Sequence, residues 1–472
     1  PFFGSVTFDK QSTTQWILGD DLDINGGKRG DLTIEIGRLF PNGNDIFVED
    51  DFTIAQNGGR INWTTNPGGA VSTIPYTITM DGNDDNTSAQ VFSISRNSND
   101  RTRFYNIVVD RQTNSVADNA TVIFQRADGD NGGTYEFFGD ITIDTGNVYL
   151  EDGFVMQGQA TTSFTMDPGT FLSLERADNV NAFPTVFVNG NINIDESATT
   201  RYFRSGSQII SAEPTYGNLS LLNGDIKTVS AALSMKGDLL IGSNTTLDDA
   251  GFQISGDSDA TTDDTFTMED EAVLVVGLAA SDSNFPTNFI SNTLGGEALV
   301  QFVGDGAQNV ESINGIGNSK YAKVEFSTGG TKTLLGDIDI NKSLTIEDLT
   351  TLANAGGHTI TFDSGNGNSD WIVTNSGTYT NSANSGVVFN GTAHTVSTGT
   401  TPLAFNHMTV QNGSLVTLAS DLEVEDVLTL TNGIVTTDAN LLNCTSIDAA
   451  DITGYSNISF VNGNLNFNYR PL

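Results

Sequence analysis

The stretch YAKVEFSTGGTKTLLGDIDINKSLTIED, residues 321–348, decides how this chain is read. It holds three short apolar words: Tyr321-x-x-Val324-x-Phe326, Ile338-x-Ile340 and Leu344-x-Ile346. Alternation with period two places both apolar side chains of a word on one face of a strand. Polar residues separate the last two words, enough to turn a corner. A strand this short buries little alone and becomes stable when the next coil of chain, about 4.8 Å away, pairs its backbone and covers its side chains. The expected fold is therefore all-β, a right-handed parallel β-helix (β-solenoid) of short strands with projecting loops. Its hand is expected from strand chirality.

Copies of the same words lie on both sides. Paired words recur as Ile46-x-Val48 and Phe52-x-Ile54, Val186-x-Val188 and Ile192-x-Ile194, Leu233-x-Met235 and Leu239-x-Ile241, and Leu422-x-Val424 and Leu428-x-Leu430. The aromatic phrase recurs as Phe104-x-x-Ile107-x-Val109, Tyr216-x-x-Leu219-x-Leu221 and Phe405-x-x-Met408-x-Val410, with Tyr455-x-x-Ile458-x-Phe460 as a fifth copy. A longer match joins Phe164-Thr-Met166, Leu172 and Phe183-Pro184-Thr185 to Phe266-Thr-Met268, Leu274 and Phe285-Pro286-Thr287 at a constant offset of 102. A third phrase links Val300-x-Phe302 to Gln308, Val387-x-Phe389 to His394, and Val6-x-Phe8 to Gln15.

These phrases divide one continuous solenoid into an N-terminal segment 1–103, repeat units 104–215, 216–320 and 321–404, and 405–472 with the fourth unit and a partial fifth. Roughly 20 to 25 residues per turn implies about twenty turns and a rod on the order of 100 Å. Twelve Asn-Gly dipeptides supply positive-φ turns and are also the strongest hairpin signal, so tandem immunoglobulin-like β-sandwiches are the competing fold. Words of two apolar positions are short for sandwich strands, which run about five or six residues.

The 472 residues carry 20 Lys and Arg against 58 Asp and Glu, a net charge of −38. Such a surface repels phosphate backbones and anionic membranes, which excludes nucleic acid as a partner and makes cations natural ones. No apolar run reaches the roughly 18 residues of a membrane helix, so no direct membrane insertion is expected. The single cysteine, Cys444, rules out an internal disulfide framework. Pro1 begins the sequence without a start methionine or signal pattern, as expected of a mature or excised piece.

Catalytic motifs are wanting. His358, His394 and His407 have no zinc-ligand spacing, and His394 occupies the place of Gln308 in its phrase, as a polar structural residue would. Acidic pairs such as Asp50-Asp51, Asp84-Asp85 and Asp263-Asp264 could serve glycoside chemistry only in a cleft, and Arg101, Arg103 and Arg111 are the one basic cluster. Calcium is the better candidate. Asp81, Asn83 and Asp85 in one tight loop, and Asp128 and Asp130 in another, place oxygen ligands at alternate positions, as a hard cation requires. Ordinary Asp and Asn turns give the same pattern. Arg29-Gly30-Asp31 spells an integrin-binding tripeptide that turn chemistry also explains, and Trp16, Trp63 and Trp371 are candidate sugar platforms or buried strand aromatics.

The composite phrase, with V-x-F-x-G and a following Gln, then aromatic-x-x-Φ-x-Φ, G-D-Φ-x-Φ, and L-T-Φ before Asn-Gly, resembles the β-helical repeats of large Bacteroidota cell-surface adhesins. The stretches that carry it are VQFVGDGAQNVESINGIGNSKYAKVEFSTGGTKTLLGDIDINKSLTIED and FNHMTVQNGSLVTLASDLEVEDVLTLTNGIVTTDANLL. The resemblance covers most of 104–450. It implies a type IX secretion cargo of the gliding-motility adhesin kind, extracellular or on the outer cell surface, and adhesive rather than catalytic. The partners it implies are glycans, surfaces or other cell-surface proteins. End-to-end self-association is a further expectation from an open solenoid edge, and a carbohydrate-active β-helix enzyme, a polysaccharide lyase or glycoside hydrolase, is the alternative reading.

Overall fold

A computed structural model describes residues 4–10, 15–24, 30–55, 59–61, 74–82, 89–95, 103–111, 121–126, 133–176, 182–187, 191–257, 264–278, 283–313, 320–363, 367–445 and 451–467. Strands dominate, and no described helix is long and apolar enough to cross a membrane. Named strands pair in parallel throughout, from Val6–Asp9 on Leu32–Phe40 to Gly433–Cys444 on Phe460–Phe467. This is a β-solenoid of about 16 turns, and the sandwich alternative, which needs antiparallel ladders, falls with that pairing. Fewer turns than expected reflects longer coils: Phe52 pairs with Phe92, 40 residues on, and Phe92 with Phe124, 32 residues on.

The chain forms two units, residues 1–223 with 234–238, and residues 224–233 with 239–472. In the first unit one parallel sheet runs through Leu22–Ile24, Ile46–Val48, Thr77–Met80, Asn106–Asp110, Ile141–Thr145, Phe164–Met166 and Ile192–Ile194. A second runs from Val6–Asp9 through Phe52–Ile54 and Asn147–Leu150 to Asn218–Leu221, and a third joins Arg103–Phe104, Gly133–Phe137 and Phe154–Gln157. Each coil thus contributes up to three short strands. Their inward residues are fully buried, and in-register phenylalanines stack: Phe52 on Phe92 at 4.7 Å and 12°, with Phe124 next at 4.8 Å. Such aromatic pairs add roughly 0.5–1.5 kcal/mol beyond their buried area.

The second unit explains why the words and the aromatic phrases differ by one residue. They are the same element in successive coils. Tyr321 pairs with Ile340 and Val324 with Leu344, the extra corner residue being absorbed by a register shift between Tyr321 and Lys323. Phe405 on Val424 and Met408 on Leu428 repeat the arrangement. Here the corner keeps its backbone pairing, so two words fuse into single nine-residue strands, Ile338–Ile346 and Leu422–Leu430. Among the described residues, an Asn-Gly turn such as Asn412-Gly413 bends one coil into its next face rather than closing a hairpin. Asn412 (φ 55°) and Gly413 (φ 81°) separate Leu403–Gln411 from Ser414–Leu418, and both strands pair in parallel with the following coil, at Leu422–Leu430 and Gly433–Cys444.

Two expected words fail. Tyr455, Ile458 and Phe460 are 71%, 65% and 38% exposed, and Ile452 instead pairs with Leu428, in the column of Met408. The fifth aromatic phrase is a coincidence of spacing. Val186 is also exposed, with φ 72°, while Phe187 beside it is buried; Val188 lies outside the described residues. The 102-residue repeat explains this backbone. Thr185 bridges Gln157 as Thr287 bridges Ser255, and Asn288, equivalent to Val186, has φ 63°. A left-handed turn is therefore part of the coil, and a β-branched residue suits it badly whereas Asn does not. Val186→Asn is expected to raise unfolding stability by about 1 kcal/mol, read from the urea midpoint at unchanged slope. A variant equal to or weaker than the parent would refute the strain.

Candidate functional site

Several acidic side chains at the corners have a structural task. Asp21 Oδ1 accepts the N–H of Asp45 (2.9 Å), and Asp45 Oδ1 accepts that of Thr77 (2.7 Å). Asn106 accepts from Asp140 (2.9 Å), Asp140 from Ser163 (2.7 Å), and Asn218 from Asp238 (2.8 Å). In the second unit Asp337 takes the N–H of Thr359 and Asp421 that of Leu441, both at 2.7 Å. Each carboxylate or amide satisfies a corner N–H of the next coil that no strand ladder reaches. Bonds to an ionised acceptor are about twice as strong as neutral ones.

A parallel device serves the interior. Where the chain bends after V-x-F, the Nε2 of Gln308 donates to the carbonyls of Val276 (3.0 Å) and Ser283 (2.9 Å), and its Oε1 accepts Gly304 N–H (2.9 Å). Gln208 donates to Leu174 O (2.9 Å) and Arg176 O (3.2 Å), and Ser414 and Ser459 hydroxyls reach equivalent bends. Lys332, in register with Gln308 and fully buried, donates to Gly304 O. Gln308 of the third phrase is thus a backbone clamp, whereas Gln15, its expected counterpart near the start of the chain, is exposed and clamps no bend among the described residues. His394, its counterpart, is 2% exposed, with Nδ1 2.6 Å from Ser369 Oγ.

Acidic groups converge at one place in the first unit. Carboxylate oxygens of Asp31, Asp50 and Asp51 lie within 4.8 Å of one another, each side chain half-buried. Asp31 Oδ1 accepts Asp51 N–H (3.3 Å) and Asp51 Oδ1 accepts Val91 N–H (2.7 Å), so two of the three already belong to a corner ladder. Burial raises the Asp51 pKa, opposed by the Val91 N–H and assisted by Asp50 and Asp31. Nearby, Asp23 Oδ1, Glu49 Oε2 and Asp81 Oδ1 are shielded from solvent and accept no hydrogen bond from the described residues. Burial, then the charges of Asp23, Glu49 and Asp110, pushes Asp81 up to about 6. Oxygen-only donors of this kind suit a hard cation.

Of the calcium ligands expected from sequence, Asp81 alone falls among the described residues, in this acidic neighbourhood; Asn83, Asp85, Asp128 and Asp130 lie outside them. Asp84 and Asp263 lie outside as well. Asp31 of the Arg-Gly-Asp tripeptide is a ladder residue, and its Gly30 is packed so closely that a Cβ would stand 2.5 Å from the carbonyls of Gly4 and Ile24. Arg111 is buried, donating to Thr121 O (3.2 Å), so it is not an open basic surface.

The histidines do not come together. His407 Nε2 meets Asp426 Oδ2 at 3.0 Å on the surface, and His358 Nδ1 lies 3.9 Å from Asp337. Asp144 hydrogen-bonds Asp167, and burial followed by that contact raises its pKa. Carboxyls in hydrogen-bond contact stand closer than the about 5 Å or more that separates a glycosidase pair. Trp371 is wholly buried and Trp16 packs on Phe8 at 5.2 Å, while Trp63 lies outside the described residues. No family model matches the chain, and neither a curated protein nor a solved structure does.

Proposed function

We propose that this chain is a non-enzymatic structural and adhesive segment of a secreted or surface-displayed bacterial adhesin or filament, acting as a spacer and a multivalent contact surface. The observation that carries this reading is the employment of its polar groups. Corner acids and amides hold successive coils together, and buried Gln, Ser and Lys side chains clamp the bends, so the chemistry of the fold serves coil stacking. A stack of this kind exposes many similar small faces, and affinity would come from many weak contacts. Export by a type IX route and a place on the outer cell surface belong to the same reading, supported by the repeat phrase. Calcium is the cation its acidic neighbourhoods would take.

The test is retention and turnover together. Beads bearing the chain are expected to adhere to polysaccharide-coated or bacterial surfaces, more firmly in millimolar calcium than in chelator, with no oligosaccharide released from a panel of acidic and neutral polysaccharides. Product release would establish the carbohydrate-active alternative. Absence of retention on every surface would remove the adhesive role.

A further inference from the structure

The 102-residue repeat separates what the fold requires from what it does not. Inward residues recur in the two copies. Phe164 meets Phe183 at 5.4 Å and 70°, as Phe266 meets Phe285 at 5.4 Å and 74°, and Phe187 and Phe289 complete each cluster. Outward residues on the adjoining face do not recur. By register, Tyr149, Phe171 and Arg201 of the first unit correspond to Asp248, Val273 and Gln301 of the second, and Phe203 corresponds to Val303. The coil is built equally well without this aromatic set, so its packing is no reason for it.

These side chains form one half-buried surface. Tyr149 and Phe203, two coils apart across Ser173, meet at 5.4 Å and 53°. The Arg201 guanidinium lies 4.1 Å above the Phe171 ring, and the Tyr149 hydroxyl donates to Glu175. Charge gathers here too. Only four basic residues occur between positions 112 and 226 of this strongly acidic chain: Arg126, Arg176, Arg201 and Arg204. Arg204 pairs with Asp152 at 2.9 Å, Arg176 feels the same carboxylate, and Arg126 lies against Gly153.

From this we infer that the face of Tyr149, Phe171, Arg201 and Phe203 binds an anionic polysaccharide carrying sugar carboxylates. Aromatic rings offer flat apolar area to the C–H faces of pyranoses, at low entropic cost because each ring has two torsions. A guanidinium held over a ring is pre-oriented for two-point contact with a carboxylate, and the neighbouring Arg126, Arg176 and Arg204 offset part of the acidic charge around it. Serines and threonines between the rings, Ser173, Thr199 and Ser220, leave the surface low enough for a chain to lie along it. The inference rests on the adhesive reading and gives it a ligand class.

Polygalacturonate and the same polymer with its carboxyls methyl-esterified are the probes, with binding followed by calorimetry and by depletion onto polymer-coated resin. The parent chain is expected to bind the acid form at least tenfold more tightly than the ester. The triple variant Phe171→Val, Arg201→Gln, Phe203→Val installs the residues the second unit already carries, so it is expected to fold as the parent does and to lose at least tenfold in affinity. Equal binding of acid and ester, no binding of either, or an unaffected variant would overturn the assignment. In the last case, retention of parent and variant alike on cells or neutral glycans would leave the adhesive role standing while removing this face from it.

Discussion

Replacing Trp371 by alanine is expected to lower the stability of the second unit by about 3–5 kcal/mol, whereas replacing it by phenylalanine is expected to change it by about 1 kcal/mol or less. The indole is wholly buried, with Phe405 at 4.9 Å, Tyr379 at 5.0 Å and Phe362 at 5.8 Å. Alanine would leave a cavity lined by three rings fixed in stacked strands, which cannot collapse into it. Phenylalanine removes less volume and also removes an indole N–H that has no hydrogen-bond partner among the described residues. The lost packing and the relieved burial of a polar group oppose each other. Circular dichroism during urea unfolding measures both variants. Because stacked coils can unfold piecemeal, amide exchange in the paired strands Asn368–Val373 and Ala393–Ser397 locates the loss. Similar losses in the two variants would show that the indole N–H is satisfied or that the pocket needs the full ring system.

Trp371 also marks where sequence reading stops. The Gly-, Asn- and Ser-rich stretch 363–386 around it reads as a projecting loop, yet it holds the strands Asn368–Val373 and Thr378–Thr380, and whether an aromatic in such a strand faces in or out depends on the alternation of its neighbours. In Trp371-Ile372-Val373 three adjacent apolar residues hide the phase. The same ambiguity conceals Tyr149, between Val148 and Leu150, and Phe171, beside Leu172. Only pairing with the next coil fixes the outward direction. Words with a clean period, such as Ile46-x-Val48 and Leu428-x-Leu430, were placed correctly because a one-residue slip would have turned both residues to solvent.

The misread words follow the same logic. Tyr455-x-x-Ile458-x-Phe460 has the spacing of an aromatic phrase without the column, since register already seats Ile452 on Leu428. Val186 reads as strand by propensity, yet the coil needs a left-handed turn there, and tertiary stacking overrides the local preference. The acidic composition pointed toward cations. Much of it turns out to cap corner N–H groups, a role invisible without knowing which residue of the next coil lies opposite. Of the five expected metal ligands only Asp81 lies among the described residues.

His394 carries the second large expectation, a pH dependence that glutamine at the same place abolishes. Burial lowers its pKa to about 4 from the ordinary 6.5, against the opposing pull of Asp370 and Asp363, and its Nε2 has no hydrogen-bond partner among the described residues. Between those values the unfolded chain binds a proton on this imidazole and the folded chain does not, so acid favours unfolding. Its contribution is complete above about pH 6.5, falls by roughly 2.5 kcal/mol by pH 4.5, and changes little below pH 4. Asp249 acts in the opposite direction. Burial pushes it up to about 6 despite hydrogen bonds from Ser283, Gly251 and Gly277, so folding takes up a proton there and acid stabilises the fold between about pH 6 and 4. The parent curve therefore mixes two terms of opposite sign, and the informative quantity is the difference from His394→Gln. Glutamine is what Gln308 shows the coil accepts at this position, where it clamps two carbonyls. Trp371 is the only tryptophan of the second unit, and its fluorescence reports the urea midpoint there. The variant is expected to match or exceed the parent at pH 7.5 and to gain on it by about 2.5 kcal/mol at pH 4.5. A difference that stays constant across that range would mean that the imidazole takes up its proton while folded, and that the interior at this coil is open to water.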